Sequence, residues 1–165
     1  MEYKEILNIL APCGLNCRKC FAYSEGDIKH SSIQLQTLLG SFDRYAERFS
    51  KFLPIFKNYP SFKELLTYFT QVDCKGCRKG SCEYPNCGVI KCYQDKKVDF
   101  CFQCDEFPCE KTNFDPDLKR RWIEMNTEMK KIGVEAYFDK IKDLPRYRYS
   151  YALKTEPATE LESNS

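Results

Sequence analysis

Apolar residues recur at spacings of three and four along much of the chain, which is the period of an amphipathic α-helix. The pattern is clearest after the main cysteine cluster, where Asp115 caps one helix, Gly133 ends it and a second helix continues until Pro145. The side chains predicted to face inward from these two helices are Leu118, Trp122, Met125, Met129, Val134, Tyr137, Phe138 and Ile141. The chain is therefore predicted to be mostly α-helical.

The same period fills residues 31–70, where there are no cysteines. A first helix is predicted from Ser31 or Ser32 to Gly40, and a third helix begins at Ser61 with a capping box. Between them, one apolar stripe is expected to pack as core rather than to line a ligand pocket. Its members are Phe42, Tyr45, Phe49, Phe52, Leu53 and Phe56.

Eleven cysteines dominate the rest of the chain, and eight of them lie between residues 74 and 109. These eight are Cys74, Cys77, Cys82, Cys87, Cys92, Cys101, Cys104 and Cys109. The spacing C-x2-C-x4-C occurs twice, beginning at Cys74 and at Cys101. Two sulfurs three positions apart can bind one ion from a tight turn, and Gly76 permits the positive φ that such a turn often needs. The cluster therefore predicts metal binding.

How the cysteines divide into sites is open at this stage. The pairs at Cys74 and Cys101 resemble the two knuckles of a zinc ribbon and would complete one site of four thiolates. A second group, C-x3-C-x2-C, follows Pro12 and consists of Cys13, Cys17 and Cys20, with a fourth ligand from Cys82, Cys87, Cys92 or Cys109. That spacing also occurs around [4Fe-4S] clusters in radical enzymes, but Lys19 stands where an aromatic residue is usual and the chain is too short for their barrel.

Composition predicts a protein of the reducing cytoplasm. The N-terminus lacks a signal-peptide pattern and no apolar run approaches a membrane span, so clustered cysteines are expected to be thiolate ligands rather than disulfides. The net charge is only +2, from 26 basic and 24 acidic residues. A local basic surplus between Cys74 and Lys97 is expected to offset thiolate charge. A protein partner is therefore favoured over nucleic acid, and no membrane partner is expected.

Several motifs together resemble a known family. They are Cys13-Gly14-Leu15-Asn16-Cys17 with Cys20, Cys74-Lys75-Gly76-Cys77-Arg78, Ile90-Lys91-Cys92, and the run from Cys101 to Lys111 that contains Glu106-Phe107-Pro108-Cys109. This pattern is similar to that of a cysteine-rich prokaryotic domain of unknown function, numbered 3795. The resemblance implies a bacterial or archaeal cytoplasmic protein whose cysteines hold metal, with zinc the expected ion, and it implies no particular reaction.

These observations predict a small helical domain joined to an irregular, cysteine-rich region of zinc-knuckle or ribbon type. Residues 1–150 are expected to form a single metal-stabilised domain, with a helical insert at about 30–71, the cysteine-rich region at 72–111 and helices at 115–145. Residues 151–165 are expected to be a disordered tail.

The predicted function is that of a non-enzymatic zinc-binding or adaptor module with about two Zn2+ per chain and all eleven cysteines as candidate ligands. An iron-sulfur protein, with [4Fe-4S] as cofactor, or a thiol redox protein is the alternative. No catalytic residue is predicted, because the only histidine, His30, lies outside every cysteine group.

Overall fold

The structure is a computed structural model that describes residues 1–80 and 82–147, so the predicted tail at 151–165 lies outside the described residues. It contains seven α-helices in the described ranges, together with 3-10 turns at Pro54–Asn58, Cys77–Lys79 and Cys101–Gln103. The helices are α1 (Tyr3–Leu7), α2 (Asp27–Leu39), α3 (Phe42–Phe49), α4 (Tyr59–Gln71), α5 (Val89–Asp95), α6 (Pro116–Ile132) and α7 (Val134–Ile141). Within those two ranges there is no β-strand, and the mostly α prediction is confirmed.

The hydrophobic core lies where α1, α6 and α7 meet residues 13–20, which carry Cys13, Cys17 and Cys20 and which we call the first cysteine turn. Trp122, Met125 and Met129 of α6 are at most 1% exposed, and all the predicted inward residues of α7 are buried. The predicted boundaries of α6 are also confirmed. The Asp115 carboxylate accepts hydrogen bonds from two backbone N–H groups of the first turn, and Gly133 separates α6 from α7 with a φ of +86°.

The helical insert, residues 27–71, is built from α2, α3, α4 and the turn Pro54–Asn58. Helix α4 packs along α2. Helix α3 and the turn Pro54–Asn58 pack against the first part of α4. Two predicted starts are wrong. Helix α2 begins at Asp27, after Gly26, and α4 begins at Tyr59 with Pro60 in its first turn. Proline fits there because the first helical N–H groups have no partner within the helix, so Pro60 starts this helix rather than separating it from another.

The aromatic stripe of the insert does not form the buried core that its spacing predicted. Phe42, Phe49 and Phe56 contact one another, with ring centroids 5.7–6.1 Å apart. Tyr45 and Phe52, however, are 55% and 62% exposed. The period predicted correctly which residues share a helix face, but the turn and α4 cover only part of that face.

The insert contacts the rest of the chain near its two ends. Lys29 donates a hydrogen bond to the Val72 carbonyl at 2.8 Å, and the Phe21 ring lies 6.2 Å from the rings of both Tyr68 and Phe69. An isolated bridge pairs Tyr23 with Cys74. None of the helices in the described part of the chain combines the length and the hydrophobicity needed to cross a membrane.

Candidate metal centre

The first cysteine turn is pressed against α6. Gly14 has a φ of +89°, and a Cβ built on it would lie 2.7 Å from the Met129 Cε atom. Glycine is favoured there by its backbone conformation, while the Met129 Cε atom is the end of a flexible side chain that could shift. The turn leaves Cys13 and Cys17 buried and Cys20 half-buried at its end, where the Cys20 N–H bonds to the Cys17 carbonyl.

Asn126 joins this turn to the second cysteine region. Its side chain is fully buried in α6, and its amide donates to the Cys13 carbonyl at 2.9 Å. Its oxygen accepts from the Phe102 N–H at 3.1 Å. The Cys101 N–H also bonds to the Pro12 carbonyl. Sequence reasoning missed Asn126, although a polar residue on the predicted apolar face of α6 was a usable signal.

Six cysteines form what we call the first thiol set: Cys13, Cys17, Cys20, Cys77, Cys82 and Cys87. In four of them the pKa is shifted chiefly by a neighbouring thiol, in the order Cys17, Cys77, Cys82 and Cys87. Cys17 and Cys82 raise the pKa of Cys77, and Cys77 lowers the pKa of Cys17 to about 6. Cys77 and Cys87 strongly lower the pKa of Cys82. These four cysteines therefore influence one another's protonation.

The remaining two members differ in their surroundings. Burial raises the pKa of Cys13 to about 11, while Cys20 accepts a hydrogen bond from the Tyr147 hydroxyl at 3.7 Å. All members of the set except Cys17 line a cavity of about 950 Å³ between the first cysteine turn and α6. Arg146 borders the same cavity and bonds to the Asn16 carbonyl at 2.6 Å. Its charge is favoured by the nearby cysteines, which raises its pKa against the effect of burial.

The second thiol set consists of Cys92, Cys101, Cys104 and Cys109. All four line one small cavity of about 30 Å³, whose other walls include Val89, Phe107 and Trp122. A space of this size holds about one water-sized particle. Burial raises the pKa of Cys101 to about 12, and the pKa of Cys92 is raised by burial and by its neighbours Cys109 and Cys104.

Cys74 is not among the residues that line either cavity. It is buried beside the bridge to Tyr23, where its sulfur accepts from the Gly76 N–H at 3.4 Å. Gly76 has the positive φ expected from the sequence, +96°. The predicted ribbon grouping differs from this arrangement, because Cys77 borders the large cavity whereas Cys101 and Cys104 border the small one.

Most of the cysteine side chains line one of two cavities, but their sulfurs are not arranged around a common point. In residues 1–80 and 82–147, no group of three or more His, Cys, Asp or Glu side chains has an arrangement that could hold a metal ion. Each cavity is instead bordered by sulfurs from separate segments of the chain. Binding of an ion would require these side chains to move toward one another.

Several charged residues of the cysteine region already make contacts within the chain. Arg78 donates to the carbonyls of Leu10 and Asp99, at 3.0 and 2.7 Å, and lies over the Phe100 ring. Lys96 and Lys111 both pair with Glu106. Within the basic surplus between Cys74 and Lys97, Arg78 is thus a structural link, and Lys96 is already paired with a carboxylate.

The fold and the site define a cysteine-rich, mostly helical protein with two separate groups of thiols. The family described as "Protein of unknown function (DUF3795)" matches residues 9–114, which include every cysteine of both groups and the insert, and the chain belongs to this family. No curated protein and no solved structure matches the chain.

Proposed function

We propose that this protein is a zinc-bound, non-enzymatic binding module with two metal sites, one in each thiol set. The second set would hold a structural Zn2+ through Cys92, Cys101, Cys104 and Cys109. The first set would hold another ion through four of its six sulfurs. Zinc prefers tetrahedral thiolate ligands, and closed four-cysteine sites contribute directly to folding free energy.

The observation that carries this proposal is the small cavity shared by the second set. Four cysteines from three parts of the chain border about 30 Å³, and the remaining walls are mainly apolar. Trp122 lines the same cavity, and its indole N–H interacts with the Cys101 sulfur, which lowers the pKa of that thiol against the larger effect of burial. An indole N–H can donate in the same way to a metal-bound thiolate, so the four sulfurs and the indole fit a metal ion here.

The first set fits a metal for a different reason. Cys77 and Cys82 each shift the other's pKa, and Cys17 and Cys87 each shift the pKa of one of them, which indicates that the four thiols are neighbours. The pKa values of Cys17 and Cys82 are lowered, and thiolate is the form that binds zinc. Arg146 beside them would offset the net negative charge of a zinc-tetrathiolate group.

A binding role is supported by what surrounds the small cavity. Its lining residues include no carboxylate and no histidine that could serve as a general base, whereas Glu83, Glu124 and Glu128 are among those that line the large cavity. Lys79, Lys91 and Lys97 are exposed, and Asp95 and Asp99 lie close to the last two in the sequence, which suits a protein partner better than uniformly anionic nucleic acid. Charge reversal at Lys91 and Lys97 should weaken partner binding without loss of zinc.

Metal analysis of anaerobically purified protein tests the proposal. The wild-type chain should carry about two Zn2+, and Cys104→Ser should carry about one, because only the second set loses a ligand. Cys74→Ser is the matched control, since Cys74 lines neither cavity, and it should retain both ions. No bound metal in the wild type, or equal loss in Cys74→Ser and Cys104→Ser, would contradict the assignment.

An iron-sulfur or thiol redox protein is the second candidate, and the cavity beside the first set favours it. A volume of about 950 Å³ bordered by five cysteines is larger than a closed zinc site needs and could admit a cluster or a reacting thiol. Iron with equivalent sulfide, and broad visible absorption from a brown sample, would support this candidate in place of zinc.

A further inference from the structure

Exposed hydrophobic side chains are concentrated in the insert. Of the thirteen large hydrophobic residues that are exposed in the described ranges, ten lie between Ile33 and Tyr68. Surface hydrophobic residues scattered singly are normal, but a contiguous group marks an interaction site. The insert, rather than the cysteine region, therefore carries the strongest sign of an external partner.

One turn presents the most exposed part of this surface. In the segment from Lys51 to Lys57, which we call the apolar turn, Phe52 is 62% exposed, Leu53 47% and Ile55 69%. The next residue, Phe56, points inward, and its ring lies 5.7 Å from the rings of both Phe42 and Phe49. The turn is thus anchored by one aromatic ring and projects three large side chains outward.

The charged residues within the apolar turn are basic, although the exposed Glu47 lies directly before Arg48. Residues 48–58 contain Arg48, Lys51 and Lys57 but no Asp or Glu. All three cations are exposed, and no salt bridge between described residues involves them. An occupant of this surface must therefore accept projecting apolar groups and supply negative charge at the rim.

We propose that the apolar turn is a peripheral anchor for an anionic lipid surface. Phe52, Leu53 and Ile55 enter the boundary between headgroups and acyl chains, while Arg48, Lys51 and Lys57 contact acidic headgroups. A lipid interface accepts projecting side chains without a preformed complementary pocket, whereas a protein partner must provide one. Each basic residue near such a surface strengthens binding roughly fivefold.

The position of the turn suits this role. It packs against α3 and α4, at the part of the insert formed by the beginning of α4, whereas the contacts to the cysteine region come from Lys29 and from the end of α4. The earlier expectation of no membrane partner rested on the net charge of the whole chain and on the lack of a spanning segment. Neither observation bears on a short interfacial anchor.

Vesicle flotation tests the anchor. Wild-type protein should float with phosphatidylglycerol-containing vesicles and much less with pure phosphatidylcholine. The double substitution Phe52→Ser with Ile55→Ser should weaken binding at least tenfold, since it removes two of the three inserted side chains, and Lys51→Glu with Lys57→Glu should abolish the preference for anionic vesicles. Ile132→Ser, at a 39% exposed position at the end of α6 and outside the insert, is the matched control and should bind as the wild type does.

Light scattering of the same proteins tests whether a second copy of the chain, rather than a lipid surface, covers the apolar turn. A concentration-dependent dimer that Phe52→Ser with Ile55→Ser dissociates would overturn the proposal, because a second copy of the chain would then cover the turn. Failure of the wild type to float with anionic vesicles, or flotation equal in all variants, would also overturn it. Zinc content should be unaffected by these substitutions, because none of the substituted residues lines either cavity, so the result is independent of the metal assignment.

Discussion

The insert has more aromatic and aliphatic residues than the cysteine region, yet few of its apolar residues are buried. The insert is rich in aromatic and aliphatic residues, but Ala46 and Leu66 are the only apolar residues buried within its described helices. The cysteine region between Val72 and Lys111 has few large aliphatic residues, and its chain is joined to α6 through Asn126, Phe100 and the first cysteine turn. Burial therefore depends on which elements cover a face and not on how apolar that face is.

This contrast predicts different sources of stability for the two regions. The cysteine region should depend on metal and on a few buried polar contacts, because its own apolar core is small. The insert should depend on its small interior and tolerate change over most of its surface. The predictions below run from the largest expected effect to the smallest.

Removal of metal should have the largest effect. Strong chelation should abolish cooperative unfolding of the cysteine region, since metal binding there is also folding free energy. Cys104→Ser should lower the unfolding midpoint by less, because the first thiol set keeps its ion. Circular dichroism and urea titration, compared with Cys74→Ser, measure this. A metal-free protein with an unchanged unfolding midpoint would show that thiol packing alone holds the region together.

Loss of the Asn126 side chain should have the next largest effect on the free energy of unfolding. Asn126→Leu keeps a similar volume but leaves the Cys13 carbonyl and the Phe102 N–H without their partner, so it should reduce the free energy of unfolding by about 2–4 kcal/mol. Asn58→Ala, at an exposed position whose side chain makes no capping hydrogen bond, is the control. An equal effect of both substitutions in urea titration would remove Asn126 from its linking role.

Two adjacent leucines of α4 test whether the insert depends on its small interior and not on its exposed face. Leu66 is 6% exposed and Leu65 is 59% exposed. Leu66→Ala should reduce the free energy of unfolding by about 2–3 kcal/mol, because it opens a cavity, whereas Leu65→Ala should change it by less than about 0.5 kcal/mol. If Leu65→Ala proved as costly as Leu66→Ala, the exposed face of the insert would be covered in solution.

Acid titration of the α6 cap should give the smallest effect. Backbone N–H groups of Leu118 and Asp117 lower the pKa of Asp115 below its ordinary value. A carboxyl whose pKa is lowered on folding stabilises the folded state above its unfolded pKa, so this contribution should be present above about pH 4 and be lost as the pH falls through the lower folded value. NMR titration of Asp115 measures the pKa directly.

Asp115→Asn supplies the control for that titration, since it keeps the capping oxygen without the charge. Its stability should lack the part of the acid dependence that the wild type owes to this residue. A pKa for Asp115 at or above the ordinary aspartate value would contradict the observed cap.

The sequence predicted the elements whose signals are local. Asp115, Pro116 and Gly133 bound α6 as expected, and the apolar period identified the buried face of α7. It did not predict that Gly26 would precede α2 or that Phe52 would be exposed, because both depend on which distant segments pack there. Spacing identified the cysteines as one chemical group, but it paired Cys77 with Cys101 and Cys104, which the folded chain places at different cavities.

The ligand shell of the metal in anaerobically purified protein is the most direct test of the zinc-module account. X-ray absorption at the zinc edge should show about four sulfur neighbours per ion at roughly 2.3 Å, with about two ions per chain. Spectra of Cys104→Ser should show the same shell around the one remaining ion. A shell of three sulfurs completed by an oxygen or nitrogen, or iron in place of zinc, would contradict the account.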